Sequence, residues 1–146
     1  MNLPLHFLLS FSGTIGFSIL FNAPKRSLLY CGLCGASGWT IFKGLSLLGI
    51  SPVSANLIAS ICVAAAGEIL SRIDKKPVTV FVIPGIICLV PGYGVYRTMW
   101  HLIRDDFGTG LEIFFQTLFS AGAIATGIII VSTIARIIKK LERKNQ

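Results

Sequence analysis

Five stretches of this chain, residues 1–24, 27–42, 44–67, 77–96 and 113–135, contain no Lys, Arg, Asp or Glu. Uncharged apolar runs of about 18 or more residues read as membrane spans. Inside a bilayer every backbone polar group must be satisfied internally, so such runs fold as helices. Charged residues are only 13% of the chain and hydrophobic residues 53%, whereas a soluble domain carries about 25% charge. The sequence therefore predicts an all-α integral membrane protein, a single transmembrane domain over residues 1–146. That excludes a soluble enzyme with its own polar cleft. It also excludes a nucleic-acid module, despite the net charge of +7.

Turn signals divide the runs into five spans, at about 3–21, 27–49, 52–70, 78–103 and 111–135. Asn22-Ala23-Pro24-Lys25-Arg26 stops the first. Ser51 is placed to cap the third and Pro52 to occupy its first position. Ser71–Pro77 and Arg104–Gly110 read as polar loops, and a basic tail covers 136–146. The first run starts at Leu3 without a preceding Lys or Arg and lacks an Ala-x-Ala-like site, so it reads as a retained span. With five spans, one side receives Lys25, Arg26, Arg72, Lys75, Lys76 and the five tail cations, ten in all. The other side receives three, Lys43, Arg97 and Arg104. Cytoplasmic loops carry the basic excess, so the N-terminus is expected outside and the tail in the cytoplasm.

The fourth run contains Pro84-Gly85 and Pro91-Gly92, followed by Gly94. Proline removes a helix hydrogen bond, and glycine frees the backbone. Together they predict an unwound segment near midmembrane, whose freed N–H and C=O groups must face protein, water or a ligand. Half-helices of this kind present N–H groups and positive dipole potential to anionic solutes. The expected binding residues are Pro84, Gly85, Pro91, Gly92, Tyr93 and Arg97, with a carboxylate as the natural ligand. Arg97 alternatively snorkels to the interface, and Tyr96 sits with Trp100 in an aromatic belt.

The run Ile83-Pro84-Gly85-Ile86-Ile87, Leu89-Val90-Pro91-Gly92 and Tyr96-Arg97-Thr98-Met99 resembles the threonine/serine exporter family. It is similar in particular to the short membrane subunit of the two-component form, a group that includes a bacterial succinate exporter. Gly16–Asn22 with Pro24 and Arg26, the Gly49-Ser51-Pro52 turn, the Glu68 region and the approach at Thr79 fit as well. Cys88 departs from it, standing where the family is expected to carry proline. The resemblance implies export of a small carboxylate-bearing metabolite, either an amino acid such as threonine or serine or a dicarboxylate such as succinate. It also implies the bacterial inner membrane and a larger membrane subunit as partner. Two oppositely oriented five-span halves would form an inverted repeat.

Other residues carry weaker signals. Glu68 lies four residues before Arg72, a spacing for an ion pair; alternatively it is a carboxylate that couples transport to protons. Lys43 snorkels or neutralises solute. Cys31-x-x-Cys34 has redox spacing but sits in an apolar run, so no cofactor or metal is expected. His101 with Asp105 and Asp106 suggests a metal or hydrolytic site but lacks further ligands. A membrane enzyme would need buried acid–base pairs that the sequence lacks. Small residues recur at three- and four-residue steps, which suits close helix packing within the chain or against another subunit. The competing functional class is a small homo-oligomeric channel.

Overall fold

The computed structural model describes residues 3–144, with side chains as far as Leu141. Residues 1–2 and 145–146 of the expected domain, including the end of the basic tail, lie outside the described residues. Those described are helices and turns, with no strand among them. The helices are α1 (Leu3–Leu20), α2 (Leu28–Leu47), α3 (Pro52–Asp74), α4 (Thr79–Ile87), α5 (Gly92–Ile103) and α6 (Phe107–Lys144). A short 3-10 turn, Lys25–Ser27, joins α1 to α2.

Length and apolarity qualify α1, α3 and α6 to cross a membrane. The α4–α5 pair, bent by 43°, makes a fourth if it is one span. The sequence reading counts one more, and the difference is α2. Its 20 residues are about 30 Å of helix, but Gly32, Gly35, Ser37, Gly38, Thr40 and Lys43 dilute its apolar content.

Several local expectations hold. Ser51 caps α3, its hydroxyl oxygen accepting the Ser54 N–H at 3.3 Å with Pro52 in the first turn. Others are corrected. The helix is not unwound at both Pro-Gly pairs: Pro84 sits inside α4, and the break falls at residues 88–91 alone. A single helix bond is lost at Pro84, and its freed acceptor is served from α2. The Arg104–Gly110 loop is shorter than expected, because Asp106 accepts the Thr109 N–H at 3.3 Å and starts α6 at Phe107. The basic tail continues α6 as far as Lys144. Ile134, Ile137, Ile138 and Leu141 recur there at helical spacing between cations that are good helix formers.

Packing follows glycine. An added Cβ at Gly35 would strike Thr14 of α1, at Gly38 Val63 of α3, and at Gly67 Val82 of α4. Most of the small-residue positions are therefore consumed inside the bundle, although Gly13 and Gly16 face open space. Cys34, Ala59, Val63, Leu89 and Ile124 form the buried core, which joins α2, α3, the break and α6. The two halves of the bent pair have different partners. α4 packs on α1, α2 and α3, whereas α5 packs on α6. The break thus lies where the chain changes from one packing unit to the other.

Candidate functional site

The break opens one wall of a cleft of about 320 Å³. Its other walls are Trp39 and Phe42 of α2, Pro52 and Asn56 of α3, and Ile113, Gln116, Thr117 and Ser120 of α6. From the bent pair come residues 88–91, Tyr93, Gly94 and Arg97. Close approach of α5 to α6 sets the spacing. Gly94 lies so near Thr117 that an added Cβ would meet the Thr117 Cγ2 at 3.2 Å. Cys88 is tied to α1, with its Sγ 3.3 Å from the Thr14 hydroxyl.

The cleft is chemically uneven. Trp39, Phe42, Leu89 and Val90 supply apolar surface, while Asn56, Gln116, Thr117 and Ser120 supply uncharged polar groups. Arg97 is the one charged side chain among the described lining residues. Its guanidinium stands 5.9 Å from the Tyr93 ring centroid, a cation–π contact that aligns the two side chains. No ion pair engages Arg97 among the described residues. Asn56 is only 4% exposed, and its Oδ1 is buried without a hydrogen-bond partner among the described residues. Such a group is costly unless something satisfies it.

Of the residues expected from sequence, the structure brings Pro91, Tyr93 and Arg97 together in this cleft. Gly92 begins α5 beside it, exposed, with nothing within 4 Å of an added Cβ. Pro84 and Gly85 lie elsewhere. Both are buried, and an added Cβ at Gly85 would meet Val63 at 3.0 Å and Cys34 at 3.1 Å. The half-helix start also offers fewer free donors than expected. Gly92 N–H bonds to the Val90 carbonyl at 2.8 Å, and Gly94 and Val95 N–H bond to Pro91 at 3.1 and 3.2 Å. Among the described residues this leaves the Tyr93 N–H of that first turn without a backbone acceptor.

Glu68 lies at the opposite, basic end of the bundle. It makes no ion pair among the described residues. Instead it shares a second cleft, of about 530 Å³, with Thr79, Ser132, Arg136 and Lys139. His101 and Asp106 are occupied with each other: the His101 Nδ1 is 2.9 Å from the Asp106 carboxylate.

Sequence reasoning missed Asn56, Gln116, Thr117 and Ser120. A signal was present, since Asn56 and Gln116 are amides inside uncharged apolar runs, and polar side chains within spans are functional candidates. What was absent from the linear pattern is that α3 and α6 both face the break.

Comparison with known proteins adds the family context. Residues 6–134 match the family model described as threonine/serine exporter, ThrE. A threonine/serine exporter of Corynebacterium glutamicum is 30% identical over 129 residues, covering 88% of this chain and 26% of that protein. An uncharacterized protein of Haemophilus influenzae is 27% identical over 122 residues, covering 78% of this chain and 41% of its own length. The chain thus spans between a quarter and two fifths of the length of these curated relatives. No solved structure matches it.

Proposed function

The chain belongs to the threonine/serine exporter family, and from that premise we propose that it is a membrane subunit that exports a small carboxylate-bearing metabolite. The solute is an amino acid such as threonine or serine, or a dicarboxylate such as succinate. The observation that carries this reading is the cleft at the α4–α5 break, where Arg97, free of any carboxylate partner among the described residues, meets uncharged polar groups from α3 and α6. A guanidinium in that setting suits a carboxylate, to which it offers a planar fork of donors.

On this reading α2 is the fifth span. It lies between α1 and α3 and packs on both, so protein covers part of its diluted surface. Five spans put Lys25, Arg26, Arg72, Lys75, Lys76 and the cations of α6 on one side, which the charge rule assigns to the cytoplasm of a bacterial inner membrane. The N-terminus is then outside. A larger membrane subunit supplies the remaining half of an inverted repeat. Glu68, beside Arg136 and Lys139, takes the coupling role.

Efflux from cells tests the proposal. Cells loaded with labelled threonine, serine or succinate should export one of them only when this chain and a larger membrane subunit are expressed together. Efflux from liposomes holding this chain alone would instead favour the homo-oligomeric channel, and no efflux of any of the three would overturn the export reading.

A further inference from the structure

The cleft's polar groups are arranged by hydrogen-bonding sense as well as by charge. One cation, Arg97, lines it, and no Asp or Glu does so among the described residues. A single guanidinium matches one carboxylate. A second carboxylate would enter a cleft with no further cation. Of the amides and hydroxyls on the opposite wall, one buried group is an acceptor with no partner among the described residues. Asn56 Oδ1 is buried and unpartnered among the described residues. The Thr117 hydroxyl already donates to the Ile113 carbonyl at 2.7 Å, which leaves its oxygen to accept. Asn56 is also firmly placed, one turn beyond the Ser51 cap of α3 and flanked by buried Ala55, Ala59 and Ser60.

Resting on the export reading above, we infer that Asn56 is a specificity-determining residue. Its Oδ1 accepts a hydrogen bond from a donor group on the exported carboxylate, an ammonium or a hydroxyl, while Arg97 holds the carboxylate. The cleft thereby selects carboxylates that carry a donor over plain dicarboxylates. An acceptor buried at the site without a partner is satisfied only by a solute that brings one, which is how a polar site rejects analogues lacking the group.

The test uses inside-out vesicles from cells carrying the full chain with its larger membrane subunit. Uptake of labelled serine is competed with unlabelled serine, with 3-hydroxypropanoate, which lacks only the ammonium, and with alanine, which lacks only the hydroxyl. Labelled succinate is a parallel probe. Serine should outcompete at least one analogue by about ten- to a hundredfold. The analogue that fails identifies the donor Asn56 reads. Asn56→Leu should collapse that ratio toward one, and Asn56→Asp, which keeps the acceptor, should preserve it. A ratio is independent of how much protein reaches the membrane, so a merely structural role would leave it unmoved. The inference is overturned if Asn56→Leu keeps the wild-type ratios, if wild type fails to distinguish serine from both analogues, or if it moves succinate but not serine. That last result would leave the export reading intact, whereas uptake of neither labelled solute would remove both.

Discussion

The Cys31 thiol donates to the Val80 carbonyl across 3.2 Å, the same carbonyl that Pro84 deprives of its helical donor four residues on. This contact explains why α4 runs through its first Pro-Gly pair. Proline costs a helix one bond, and in a bilayer the orphaned oxygen needs a protein donor. Cys31 is fully buried on α2 and provides it. Cys31→Ala should destabilise the bundle by about 1–3 kcal/mol, the cost of a buried acceptor left unmade. Cys31→Ser, which retains a donor, should lose much less. Thermal unfolding in detergent of the two variants measures the difference, and equal losses would show that the thiol only fills space.

Gly92 and Gly94 stand two residues apart and should behave oppositely. A Cβ at Gly94 collides with Thr117, so Gly94→Ala should cost about 1–3 kcal/mol through overpacking. A Cβ at Gly92 meets nothing within 4 Å, so Gly92→Ala should be neutral or slightly stabilising. The same detergent melts decide. A destabilised Gly92→Ala together with a neutral Gly94→Ala would mean that α5 and α6 are spaced differently.

The turn between α5 and α6 carries a pH dependence. The hydrogen bond from His101, and then those from Thr109, hold the Asp106 carboxyl below the usual carboxylate range. A depressed carboxylate contributes stability that is present above its unfolded value and lost as pH falls through its folded value. Acidification should therefore weaken this turn. Asp106→Asn keeps a capping oxygen without titrating, so the gap in melting temperature between wild type and variant should close as pH drops through the acid range. A gap independent of pH would contradict the assignment. The effect should be small, since Asp106 is exposed.

The helices were legible where composition decides them. Uncharged runs, the Ser51-Pro52 start and the break at Pro91 all have local causes. The first Pro-Gly pair was misread because its repair comes from Cys31, 53 positions away from Pro84 in the sequence. The uncharged run stops before Arg136 and so does not report how far the last helix extends, although Ile134, Ile137, Ile138 and Leu141 continue the helical period. Of the site, Pro91, Tyr93 and Arg97 were readable from the break. Asn56 and Gln116 were not, since their meeting depends on α3 and α6 packing together. No pattern within either run reports that.

Arg97 is the sharpest test of the cleft as a carboxylate site. Its guanidinium is exposed, stands over Tyr93 and has no ion pair among the described residues. Loss of a hydrogen bond to a charged group costs about 1.5–3 kcal/mol, roughly ten- to a hundredfold in affinity. Arg97→Gln should raise the solute concentration needed for half-maximal efflux by that factor. Arg97→Lys keeps the charge but not the planar fork, so it should fall between Gln and wild type. An arginine that only anchors α5 at the interface predicts normal efflux for both variants at normal membrane levels. Gly92→Leu supplies the second arm. It leaves every charge in place, Gly92 is exposed, and an added Cβ there meets nothing within 4 Å. Reduced efflux in Gly92→Leu at an unchanged melting temperature in detergent would report solute near the start of α5. Wild-type efflux in Arg97→Gln would remove Arg97 from the site, and wild-type efflux in Gly92→Leu would remove the half-helix start from the solute's path.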